Sequence, residues 1–237
     1  MKAIIIGATS GIGWELAKIM SQKGYDIGIT GRRTEKLQAL QQALQGKVHL
    51  QTMDITQFEE AREGFRSLVE RMGGVDIVVV NAGYGVISTK WDNELQMINT
   101  NATGFAAITN AAFYYFSQLG HGQIVGISSL AAVRGGSHIP AYNATKAFIS
   151  SYMEGLRIKA IKKKLNITIT DIRPGFVETP MTEQNPAMFW VASAEKAAQQ
   201  IFTAIQRKSK VAYITKRWVL IAWLIKLLPD FLYKKIG

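Results

Sequence analysis

Lys2-Ala-Ile-Ile-Ile6 runs without a break into Gly7-Ala-Thr-Ser-Gly11-Ile-Gly13, and this join decides the architecture. The apolar run is too short, and too soon met by glycine, to be a secretory signal or a membrane span. It reads as a buried strand. The glycines permit a tight turn with close backbone approach. Ile12, Leu16, Ile19 and Met20 then recur at helical spacing, so a helix follows at once. Free N–H groups at such a helix start form an anion site suited to a dinucleotide pyrophosphate. A glycine-rich turn without a ligand is the alternative for any isolated loop of this kind. The strand before it, the helix after it and a further strand beyond favour dinucleotide binding.

That further strand is Asp26-Ile-Gly-Ile-Thr30, and it ends in Gly31-Arg32-Arg33. An acidic residue at this point bonds the ribose hydroxyls of NAD, whereas arginine accommodates the 2′-phosphate of NADP. No Asp or Glu occurs before Glu35, and Gly31 stands at the expected acidic position. The reading is therefore NADP(H), with Arg32 the main phosphate clamp and Arg33 a helper. The competing reading is that the arginines cap a solvated loop.

Further along, Val75-Asp-Ile-Val-Val-Val80, Gln123-Ile-Val-Gly-Ile127 and Ile167-Thr-Ile-Thr170 are strand-like runs separated by longer periodic stretches. This alternation predicts an α/β fold, a doubly wound parallel sheet with helices on both faces. With 237 residues, 48% of them hydrophobic, the chain can bury one sizeable core. No linker, repeat or low-complexity run divides it. Cysteine is absent, which excludes disulfides, thiol catalysis and cysteine metal sites. His49, His121 and His138 are scattered and form no metal-ligand set, although His138 precedes Tyr142 closely enough to reach a substrate. The net charge of +11 attracts anionic partners. Its main cluster, Arg157 to Lys164, reads as a solvated helix end, where cations meet the helix C-terminus favourably. Nucleic acid is not expected.

Tyr142 and Lys146 in Ala141-Tyr-Asn-Ala-Thr-Lys146 stand four apart, on one face of a helix. An ammonium beside a phenol favours the tyrosinate and draws its pKa down from about 10. The pair would serve proton transfer in carbonyl or alcohol chemistry.

Together, Gly7-x-x-x-Gly11-x-Gly13, Asn81-Ala-Gly83, Ser129, Tyr142-x-x-x-Lys146 and Pro174-Gly175 resemble the short-chain dehydrogenase/reductase family over about residues 1 to 215. The resemblance implies a single Rossmann-type domain with about seven parallel strands and an NAD(P)-linked oxidoreductase. It implies Tyr142 as general acid and base, and Lys146 as the group that lowers its pKa and holds the nicotinamide ribose. By the same resemblance Ser129 orients the substrate carbonyl, and Asn101, in preference to Asn99, organises a relay water. The implied cofactor contacts include Thr9, Ser10 and Ile12 in the glycine loop, Asp54 and Ile55 near the adenine, and Asn81, Ala82 and Gly83. Pro174, Gly175, Val177 and Thr179 complete them, with Thr179 at the nicotinamide carboxamide. A dimer or tetramer is also implied. The residues left two other readings open: a nucleotide-binding regulator without turnover, and a lipid-surface interaction protein. The complete set of Asn101, Ser129, Tyr142 and Lys146 favours the enzyme, because a sensor needs no proton-transfer groups.

Residues 216–237 extend the domain and are the least ordinary part of it. Trp218 through Ile225 is uninterrupted apolar sequence, with Lys226 and Pro229 expected to break it. It is too short to span a bilayer. A helical tail of this kind packs over the substrate pocket, forms a subunit contact or lies in a membrane surface. Phe176, Met181, Met188, Phe189 and Trp190 form an apolar segment before a helix that Ser193 is expected to cap, which favours a hydrophobic substrate. Arg134 could meet an anionic head group. The expectation is a cytoplasmic enzyme, with membrane contact through the tail as one open reading.

Overall fold

The computed structural model describes residues 1–88, 90–183, 185 and 188–234. The last three positions of the predicted extension, Lys235 to Gly237, lie outside the described residues.

The opening apolar run is strand β1 (Lys2–Ile6), buried over Ala3 to Ile6, and the helical periodicity after it is α1 (Gly11–Gln22). The second strand β2 (Asp26–Gly31) follows, then α2 (Thr34–Ala43), β3 (Val48–Thr52), α3 (Phe58–Arg71) and β4 (Ile77–Val80). The second half carries α4 (Trp91–Ile98), α5 (Phe105–Leu119), β5 (His121–Ile127), α6 (Pro140–Lys162) and β6 (Asn166–Pro174). After a two-residue pairing of β7 (Val177–Glu178) with β8 (Ala192–Ser193) come α7 (Ala194–Gln206), β9 (Val211–Ile214), α8 (Trp218–Leu227) and α9 (Asp230–Tyr233).

Seven of the strands form one sheet in the order β3-β2-β1-β4-β5-β6-β9, parallel at every pairing. A sheet buried on both faces needs continuous apolar strands, not alternating ones. Ile77 to Val80 meets that need, and so does β1. One face packs Phe65, Phe105, Phe116, Ile149 and Met153 from α3, α5 and α6. The other packs Leu16, Met20, Leu37, Ile201 and Phe202 from α1, α2 and α7. Strand order runs outward in both directions from the β1–β4 pair, so a crevice opens beyond their C-terminal ends. Ser193 caps α7 as expected, accepting from the Lys196 N–H at 3.2 Å.

α8 runs past the apolar run through Lys226 and stops before Pro229. A single lysine has good helix propensity and does not end a helix. Among the described residues no helix is long and apolar enough to cross a membrane.

Candidate active site

The crevice is built where four strands end. Gly7 leaves β1 with φ +86°, and a β-carbon there would sit 2.6 Å from the Ala82 backbone. Only glycine tolerates both conditions. Gly13 approaches so closely that its β-carbon would fall 2.3 Å from the Gly7 carbonyl oxygen. Asn81, at the end of β4, donates Nδ2–H to that same oxygen at 2.7 Å and ties the two central strands together. Ser10 precedes α1 in extended conformation but makes no side-chain cap, so the first-turn N–H groups keep their orphan character. Gly11, at φ +56°, faces Thr179, whose Cγ2 would be 2.9 Å from a β-carbon at position 11. This cradle has the shape and donors that a pyrophosphate needs.

Arg33 donates to Thr9 Oγ1 at 2.5 Å and to Ser10 Oγ at 3.0 Å, lashing the end of β2 to the glycine loop. Arg32 is mostly exposed, and its guanidinium stands 3.8 Å from Asp54. The structure thus gives the second arginine, expected as the helper, the firmer hold on the loop. Arg32, Met53 and Asp54 border a cavity of about 440 Å3 at this end of the crevice. Asp54 Oδ1 is occupied by the N–H and hydroxyl of Thr56, at 2.9 and 2.8 Å. Ile55 is buried beside it.

At the other end lie the four polar residues expected to do chemistry. Ser129 follows β5; its hydroxyl accepts from the Ala131 N–H at 3.1 Å and stands near enough to the Tyr142 hydroxyl to draw its pKa down. Tyr142 and Lys146 lie in the N-terminal part of α6, with Nζ 5.5 Å from the phenol ring centroid. Lys146 is buried and donates to the Ile127 carbonyl at 3.0 Å. Asn101, fully buried, occupies a π-helical turn over Asn99–Gly104 between α4 and α5. Such turns interrupt the regular hydrogen-bond ladder and recur at functional sites. Its Oδ1 accepts from the Tyr84 N–H, and its Nδ2 donates to the Tyr84 carbonyl, both at 2.7 Å. Gly83 separates Asn101 and Lys146: a β-carbon there would lie 3.4 Å from Asn101 Oδ1 and 3.6 Å from Lys146 Nζ. Asn99, the competitor, is only half-buried.

The electrostatics correct one expectation. Tyr142 is partly open as a residue, but its hydroxyl is enclosed, and that burial raises its pKa above 10.0 while Ser129 opposes the rise. Desolvation outweighs any pull from Lys146, whose own pKa falls to about 8 through burial, with Asp171 opposing. In the ligand-free site the lysine is thus the perturbed base and the tyrosine a well-protonated acid.

Sequence reasoning missed two neighbours. Thr145 Oγ1 accepts from Asn101 Nδ2 at 3.2 Å and donates to the Tyr142 carbonyl at 2.8 Å, joining the helix to the π turn. Asp171, buried in β6, accepts from Ser128 Oγ at 2.5 Å and from Arg173 Nε at 2.7 Å. A carboxylate inside an otherwise apolar strand run was the available signal. Arg134, read from the sequence as a contact for an anionic head group, is instead engaged by the tail: Nη1 donates to the carbonyls of Ile225 and Leu228 at 3.1 and 2.5 Å, and Nη2 pairs with Asp230. Its guanidinium also lies 4.0 Å from the Tyr233 ring centroid. His138 is exposed on the loop before α6.

Aromatic rings cluster beside the loop after β6. Phe176, Phe189 and Trp190 stand in ring contact with the buried Trp218, at centroid distances of 5.6, 5.1 and 5.6 Å. His, Asp and Glu form no metal-binding group among the described residues.

Residues 1–190 match the sequence profile of the short chain dehydrogenase family, and the chain belongs to that family of oxidoreductases. An uncharacterized oxidoreductase of Myxococcus xanthus is 36% identical over 190 residues, covering 77% of this chain and 74% of the relative. An uncharacterized oxidoreductase of Mycobacterium tuberculosis is 29% identical, spanning 100% of this chain and 97% of the relative. In fold, the chain is similar to ElxO solved with NADP bound, at a TM-score of 0.79 and 23% identity, covering 90% of this chain and 96% of that one.

Proposed function

We propose that this chain is an NADPH-dependent reductase of ketones or aldehydes, with Tyr142 as the proton donor. The observation that carries the reading is the grouping of Tyr142 and its neighbour Ser129 with buried Lys146 and buried Asn101 at one end of the crevice. The glycine cradle next to that group fits a dinucleotide. When bound, NADPH supplies the hydride.

The residues divide the remaining work. The first turn of α1 and the backbone at Gly11 and Gly13 bind pyrophosphate. Arg32 and Arg33 bind the 2′-phosphate, and the similarity in fold to ElxO with NADP bound supports that preference. Asp54 and Ile55 border the adenine end. Asn81, Ala82 and Gly83 line the middle, while Pro174, Gly175, Val177 and Thr179 border the nicotinamide end. Ser129 and Tyr142 donate hydrogen bonds to the substrate oxygen. As the carbonyl carbon takes the hydride, the Tyr142 O–H proton passes to that oxygen, and the product is an alcohol. Burial suits this direction, because it keeps the phenol protonated at neutral pH. Lys146, with a pKa of about 8, is mostly an ammonium at pH 7 and stabilises the phenolate left behind. Asn101 holds the Tyr84 backbone beside the lysine and so keeps the path by which the phenolate regains its proton. The aromatic cluster of Phe176, Phe189 and Trp190 favours a hydrophobic substrate.

The test is NADPH oxidation, followed by absorbance, across aldehydes and ketones of increasing chain length. Turnover that rises with chain length supports the proposal. NADPH binding without turnover of any carbonyl, or oxidation with NADH preferred, would contradict it.

A further inference from the structure

A helix docked on a protein turns its apolar stripe inward. α8 does not. It buries Trp218 and Ala222, four apart, and leaves Leu220, Trp223, Leu224 and Leu227 at 72%, 65%, 56% and 71% exposure. Their spacing of 3, 1 and 3 residues is that of one helix face, so the outward side is itself an apolar stripe. Phe231, beyond Pro229, is exposed too, as are Phe189 and Trp190, which touch Trp218 on the helix's inner side. Exposed apolar patches of this kind mark surfaces that something covers.

The charges around the stripe say what. Residues 216–234 carry Lys216, Arg217, Lys226 and Lys234, all exposed, against the single acid Asp230. That acid is already paired with Arg134. We propose that this face docks on a bilayer surface rich in anionic lipid, with α8 lying in the plane of the headgroups. A second copy of the chain fits less well, because a two-fold contact would bring the same cations against one another. An anionic headgroup layer offers the opposite charge. The helix, ten residues long, measures about 15 Å, half of the roughly 30 Å needed to cross, and Trp223 suits the interfacial depth.

The stripe is also held rigidly. Trp218 is wedged against Gly175 on one side, and Arg134 grips the end of α8, the start of α9 and the Tyr233 ring on the other. Docking would therefore orient the whole molecule and bring the aromatic entrance to the lipid, where a membrane-dissolved carbonyl is available. Only that last consequence rests on the reductase reading; the binding does not.

The full chain would be sedimented at low salt with vesicles of phosphatidylcholine alone and of phosphatidylcholine mixed with phosphatidylglycerol. The proposal expects pelleting with the anionic vesicles only, a blue shift of tryptophan emission, and release by high salt. Leu220→Ser combined with Leu227→Ser is expected to weaken binding by about tenfold or more, since each exposed leucine loses its burial in lipid. Lys216→Glu with Lys226→Glu is expected to abolish it, and this exposed pair serves as the second variant if the serine protein does not fold. Tyr142→Phe is expected to bind as the parent does, which separates failure of the docking from failure of the chemistry. Absence of binding to anionic vesicles would overturn the proposal. So would binding that both surface variants retain, or a soluble dimer that the Leu220→Ser, Leu227→Ser protein loses while neither protein binds vesicles.

Discussion

Gly175 lies under the indole of Trp218 so closely that a β-carbon at residue 175 would fall 2.1 Å from the ring. The Gly175 N–H also donates to the Ile214 carbonyl at 2.6 Å, so its backbone cannot easily move aside. The loop after β6 and the C-terminal helices are thus one mechanical unit. Gly175→Ala is expected to expel Trp218 and to lower stability by about 1–3 kcal/mol through overpacking. Thermal unfolding and tryptophan emission check it; an unchanged melting temperature and spectrum would disprove the wedge.

The two arginines after β2 should separate in their effects. Arg32, mostly exposed and 3.8 Å from Asp54, is available to a 2′-phosphate. Losing a charge-assisted hydrogen bond costs about 1.5–3 kcal/mol. Arg32→Ala is therefore expected to weaken NADPH about 10- to 100-fold while changing NADH little. Arg33→Ala should weaken both, because Arg33 braces the glycine loop through Thr9 and Ser10. Titrations with both nucleotides decide it, and unchanged NADPH affinity in Arg32→Ala would refute the assigned clamp.

The fold was readable because its signals are local. β1, the glycine turn and the first turn of α1 lie within thirteen residues, and each glycine has a steric reason that sequence spacing already announced. The shared helix face of Tyr142 and Lys146 follows from their spacing in the same way, whereas Ser129 was indicated only by the family resemblance. What stayed hidden depends on distance. Nothing near Arg134 signals that its partners are 91 to 96 residues away in the tail. The balance of burial against charge at Tyr142 needs the packed environment too. The helical spacing alone predicted a lowered phenol pKa, and desolvation reverses it.

Lys146 makes pH a probe of the site. Its pKa, 10.5 in the unfolded chain, falls to about 8 in the folded one. Between those values the unfolded chain holds the extra proton, so stability of the ligand-free protein rises with pH across that window, by up to about 3 kcal/mol. Lys146→Met should remove the slope and raise stability at pH 7. Chemical denaturation at pH 7, 8 and 10 tests the sign, and stability falling over this window in the parent relative to Lys146→Met would contradict it.

Asp171 acts on the same group from beneath. Its carboxylate favours the Lys146 ammonium, opposing the desolvation. Asp171→Asn is expected to lower the Lys146 pKa below about 8 and to move the alkaline fall of kcat to lower pH, leaving Tyr142 in place. A purely structural role for Asp171 would lower folding without shifting the pH profile. Steady-state rates from pH 6 to 10 separate the two.

Tyr142→Phe keeps the ring and its packing and removes only the proton donor beside Ser129. Measured side by side, NADPH binding by fluorescence titration should stay within about threefold of the parent, while carbonyl reduction should fall by at least about 100-fold, the low end of general acid–base contributions. Reduction at near-parental rate with NADPH still bound would contradict the assignment of Tyr142 as the acid.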